Sequence, residues 1–112
     1  MTFTTKTVVS VEQSPQQFRG IFGEVWKVKL TVDPASIAAA AEDIATFAVP
    51  GVALGDMVIG WSSGVDLTVD AAVAVYVSAA DVVSIRISNL HASSALDLAT
   101  STWKVVIGRP VW

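Results

Sequence analysis

The sequence contains no cysteine, which excludes a disulfide framework, a thiolate nucleophile and any thiolate metal site. Charge is sparse too. Seven basic and ten acidic residues make up 15% of the 112 residues and leave a formal net charge of −3. No basic cluster stands out, so nucleic acid is not an expected partner. Long apolar runs are missing as well. The longest candidate, 71–83, is interrupted by Ser78 and Asp81, short of the ~18 to 20 apolar residues of a membrane helix, so no membrane partner is expected. The opening Met1-Thr2-Phe3-Thr4-Thr5-Lys6 has neither the charged start nor the apolar stretch of a secretory leader, and none is expected there.

What remains is apolar and small. Hydrophobic residues reach 53%, and the mean hydropathy of +0.60 is the opposite of a disordered acidic tail. Nineteen valines and sixteen alanines supply about a third of the chain. Each buries less area than Leu or Phe, so the expected core is thin and wide. The length suits one domain, and neither a repeat nor a linker divides it.

Period-2 alternation dominates and favours strands. Residues 2–11, rich in Thr and Val, read as an extended arm or edge strand, and 12–17, around Pro15, as a loop. In 21–32, Trp26, Val28, Leu30 and Val32 share one face while Val25, Lys27, Lys29 and Thr31 share the other, the pattern of a half-buried strand. Asp33-Pro34-Ala35-Ser36 is a helix-start signal, and the alanines that follow predict one or two helical turns over 34–41. A strand over 44–49 then ends at Pro50-Gly51; a continuous helix through Phe47 is the alternative. Further strands are expected at 57–61, 65–69, 72–79, 82–88 and 101–108, with a longer connection over 89–99. The predicted fold is all-β: an antiparallel β-sandwich or jelly-roll-like domain of seven to eight strands over 21–112, with residues 1–20 as arm and loop.

The inventory for chemistry is poor. His91 is the single histidine, and a Ser-His-Asp arrangement drawn from eleven serines carries no information. His91 reads as a loop residue bonding locally. Glu42-Asp43, Asp66 with Asp70, and Asp81 sit where turns and caps use carboxylates. Asp66-x-x-x-Asp70 lacks the dense acidic ligands and the turn glycine of a Ca²⁺ loop. Gly51, Gly55, Gly60 and Gly64 are scattered over strand ends and form no phosphate cradle. No enzyme, cofactor or metal is expected.

Four tryptophans are many for this length. Alternation places Trp26 and Trp103 in the core, leaves Trp61 open between core and surface, and makes the apolar Pro110-Val111-Trp112 end a docking element. Phe3, Val8, Phe18, Trp61, Val111 and Trp112 are the candidate interface residues. Low charge and a small-residue core also predict that copies associate.

Three segments carry a resemblance: Val49-Pro50-Gly51-Val52-Ala53-Leu54-Gly55-Asp56-Met57-Val58, then Val77-Ser78-Ala79-Ala80-Asp81-Val82-Val83-Ser84-Ile85-Arg86-Ile87-Ser88-Asn89, then Thr102-Trp103-Lys104-Val105-Val106-Ile107-Gly108-Arg109. The pattern from Asp33 onward resembles the small capsid cement or decoration proteins of tailed bacteriophages, notably cyanophage-like ones. The resemblance implies a virion structural protein on the outer surface of the head. Its implied partners are the major capsid protein and its own copies, as a homotrimer. A tail, fibre or baseplate module and a small carbohydrate-binding sandwich using Trp61 or Trp112 are the alternatives.

Overall fold

The structure, a computed structural model, describes residues 4–13 (backbone), 21–67 and 70–112. It is all-β and contains no helix among the described residues. Two antiparallel sheets face each other. One has the order β1-β2-β7-β4 and the other β3-β6-β5, from strands β1 (Thr4–Gln13), β2 (Phe22–Asp33), β3 (Glu42–Ala48), β4 (Met57–Ser62), β5 (Ala71–Ala79), β6 (Val82–Asn89) and β7 (Ser101–Pro110).

The core is the meeting of two alternating rows. Trp26, Val28, Leu30 and Val32 of β2 lie in register with Ile107, Val105, Trp103 and Ser101 of β7, so one face of the first sheet is apolar up to Ser101 at its end. Ala45 and Phe47 of β3 and Val83, Ile85 and Ile87 of β6 provide the opposing face. Lys27 and Lys29 point to solvent, as the alternation requires. Each fully buried Val, Leu or Ile contributes about 1.5–3 kcal/mol relative to exposure. The rows are long, so the thin core is stabilised by its extent.

The helix expected over 34–41 does not form, and neither does the continuous helix through Phe47. Ile37 instead makes a two-way bridge with Leu96, N to O at 2.9 Å and the return bond at 2.8 Å. Ala40 adopts φ 57°, which ends any right-handed turn. The carbonyls of Ile37 and Ala38 accept from the Asn89 amide at 3.1 and 3.2 Å. Asp33 is the last residue of β2 and accepts from Thr100 Oγ1 at 2.6 Å, so it caps no helix. Long-range bonding overrides the helical propensity of four consecutive alanines.

The strand expected over 65–69 is also absent through Leu67; Thr68 and Val69 lie outside the described residues. Ser63 Oγ donates to the Val65 carbonyl, and Gly64 lies so close to β7 that an added Cβ would stand 2.9 Å from the Thr102 oxygen. The segment bends against β7 instead of extending. Residues 4–13 form an edge strand paired with β2 from Thr4↔Asp33 to Gln13↔Glu24. The loop expected over 12–17 lies outside the described residues from 14 onward.

Candidate interaction site

Where β2 begins and β7 ends, the outer face of the larger sheet gathers apolar side chains. Gly108 of β7 lies between Val25 and Met57 in register. An added Cβ there would stand 2.6 Å from Phe22 Cδ1 and 2.9 Å from Ile59 Cδ1, so these two side chains close over the glycine. Beside them, the Val111 N–H donates to the Ile21 carbonyl at 3.0 Å, and Val111 Cγ1 covers Gly23. Ile21, Met57, Ile59 and Val111 are 44–53% exposed and Trp112 is 81% exposed. Exposed apolar side chains gathered at one strand end are the kind of surface that marks an association site.

On the other face of the same strand end, the core side where Arg109 pairs with Glu24 and lies over Trp26, charge is compensated. Arg109 donates from Nε to Asp56 Oδ1 at 3.0 Å and from Nη2 to Asp56 Oδ2 at 2.9 Å. Nη2 also reaches the Gly51 carbonyl at 2.7 Å, and Glu24 lies 4.0 Å from Nη1. The guanidinium rests over the Trp26 ring, 5.0 Å from its centroid. The hydrogen bonds that Arg109 donates to Asp56 hold its pKa above the ordinary value, against the opposing pull of burial. Asp56 Oδ2 accepts from the Ala53 N–H as well, which ties the 49–56 connection to β7. Gly51, at φ 97°, receives its second anchor from Asp81 Oδ1, 2.8 Å from its N–H. Asp81 itself turns β5 into β6 at φ 63°, a conformation that Asp tolerates.

The other polar candidates are engaged in structure. His91 Nδ1 accepts from the backbone N–H groups of Ser93 and Ser94 at 3.1 and 3.0 Å. The buried Asn89 amide donates to three carbonyls, those of Ile37, Ala38 and Ser94, while its Oδ1 accepts from the His91 N–H. Asp43 Oδ1 accepts from the Ile44 N–H. Asp66 and Asp70 both have partners. No three His, Asp or Glu side chains gather as a metal site among the described residues.

Of the sequence candidates, Val111 lies beside Ile21 and Gly23 at the end of β7, and Trp112 follows it as an exposed residue. Trp61 lies on the core side of β4, stacked on Trp103 and 37% exposed. Val8 pairs with Lys29 through the β1 backbone, and Phe3 and Phe18 lie outside the described residues. Ile21, Phe22, Met57 and Ile59 escape a sequence reading because strands distant in the chain bring them together. Gly108, a glycine inside a strand, is the one local signal of the close approach. No protein-family model matches the chain, and no curated protein or solved structure matches it.

Proposed function

We propose that this chain is a virion structural protein of a tailed bacteriophage: a cement, or decoration, protein that binds the outer face of the head and staples adjacent major-capsid subunits. The observation that carries the reading is the apolar surface that Phe22, Met57 and Ile59 make around Gly108, on a sandwich whose polar side chains serve its own turns. The segments that carry the family resemblance form the β3–β4 connection, the β5–β6 hairpin and β7. In this reading the sandwich is a jelly-roll-like one, and its work is to make interfaces.

The patch holds copies together as a homotrimer, by burial of Ile21, Met57, Ile59, Val111 and Trp112. The outer edge of β1 and the residues before it reach the shell by strand addition. A trimer engages several capsid subunits at once, so modest single contacts sum to firm attachment. Deleting residues 2–11 is a poor test, because β1 pairs along its whole length with β2 and its loss would open the sheet. Antibody labelling of intact virions is the direct test. Label over the head is the expected result; label at the tail would assign the chain to a fibre or baseplate. The exposed ring of Trp112 favours a glycan platform as a second reading, which a glycan array would reveal by binding that Trp112→Ala abolishes.

A further inference from the structure

The two sheets have four edges, and they are not equally protected. Exposed edges invite pairing, and soluble proteins blunt them with charge, brevity or inward-pointing polar groups. The edge strand β1 carries Lys6 and Glu12. β3 carries Glu42 and Asp43, and Asp43 turns inward, with its Oδ2 buried and unpaired. β4 is short and kinked by a register shift between Val58 and Gly60. β5 has none of these devices over most of its length. Its nine residues, Ala-Ala-Val-Ala-Val-Tyr-Val-Ser-Ala, hold no charge and no proline, and its one irregularity falls at the far end, between Val77 and Ala79. Among the described residues β5 pairs with β6 alone.

The geometry points to the free edge of β5 as a two-fold contact between copies of this chain, distinct from the patch around Gly108. An antiparallel β5–β5 pairing centred on Val75 is self-complementary. It sets Val75 against Val75 of the partner subunit and Val73 against Val77 of the partner subunit on the core side. On the outer side it sets Tyr76 against Ala74 of the partner subunit, a large side chain opposite a small one. Val73, Val75 and Val77 are half-buried and pack against the core, so pairing completes their burial and doubles the three-stranded sheet. An uncharged strand faces no like-charge repulsion across a dyad, which makes a second copy the fitting occupant. The contact does not depend on the virion reading. If the patch makes trimers, β5 links one trimer to the next.

Sedimentation equilibrium separates the two contacts. With the patch broken by Ile59→Lys and Trp112→Ser, the protein should sediment as a concentration-dependent dimer of twice 11.7 kDa. Adding Ala72→Lys and Ala74→Lys, both at exposed positions, should return it to monomer. The β5 lysines alone should leave the trimer intact; loss of the trimer there would count against the patch assignment, not against β5. Hydrogen exchange on the unmodified protein is the independent readout, with β5 amides slowing about tenfold on concentration while β3 amides do not change. A patch variant that stays monomeric at every concentration, or β5 amides equally slow at all dilutions, overturns the proposal.

Discussion

Trp61 stacks on Trp103 with ring centroids 5.5 Å apart and 11° between the planes. Trp103 is 1% exposed at the core and Trp61 37% exposed above it, so the pair closes the core at the β4 margin. Offset stacking adds about 0.5–1.5 kcal/mol to the burial of the rings. Because Trp61 is only partly buried, Trp61→Ala should cost about 2 kcal/mol, below the range for a fully buried ring. Thermal unfolding should show Tm falling by roughly 10 °C, and Trp61→Phe by much less.

The Arg109–Asp56 pair predicts a different pattern. The Asp56 side chain is 5% exposed and that of Arg109 37%, so the pair is partly screened. Asp56→Ala removes the bidentate partner and the anchor of the Ala53 N–H, and should cost about 2–3 kcal/mol in urea denaturation. The raised Arg109 pKa has a definite sign. Its contribution is fully present below the ordinary arginine range and is lost only in strong alkali, so none of this deficit should come from Arg109 titrating near neutral pH.

Two strand glycines should respond oppositely to alanine. At Gly108 the new Cβ meets Phe22 and Ile59 within 3 Å, and displacing them should cost about 1–3 kcal/mol. Phe22→Ala in the same chain should recover part of that loss, a coupling that a double-mutant cycle measures. At Gly60 nothing lies within 4 Å, so Gly60→Ala should be neutral or stabilising by about 0.5 kcal/mol.

Asn89 is 2% exposed, and its amide gathers the carbonyls of Ile37, Ala38 and Ser94. Asn89→Ala should cost about 2 kcal/mol by removing these bonds, since the Ile37 and Ala38 carbonyls keep only the Leu96 and Ala41 N–H groups. Asn89→Asp should cost more, because it turns a carboxylate toward three oxygens. Hydrogen exchange should report the loss first at the Ile37–Leu96 bridge.

His91→Ala should leave the sheets intact and loosen only the 89–99 connection, since Nδ1 holds just the Ser93 and Ser94 N–H groups. A cost near 1 kcal/mol, with exchange rising at Ser93 and Ser94 alone, is the expected result.

Local pattern determined much of the fold. The alternation through Trp26, Val28, Leu30 and Val32, and again through Trp103, Val105 and Ile107, is legible because a strand sends alternate side chains to opposite faces whatever lies beside it. The turns at Pro50-Gly51 and Ala80-Asp81 are legible for a similar reason: positive φ selects residues locally.

Tertiary structure decided the rest. Four alanines favour a helix, yet the bridge between Ile37 and Leu96 and the reach of Asn89 across 52 residues hold that segment open. Arg109 and Asp56 are 53 residues apart, and nothing in either neighbourhood names the other. Ile59 belongs to a surface only because β4 pairs with β7 and Gly108 leaves it room beside Phe22. Periodicity reports which face a side chain takes; it carries no information about which distant strand lies beside it. That choice rests on the summed burial and hydrogen bonding of whole sheets, which no short window of sequence contains.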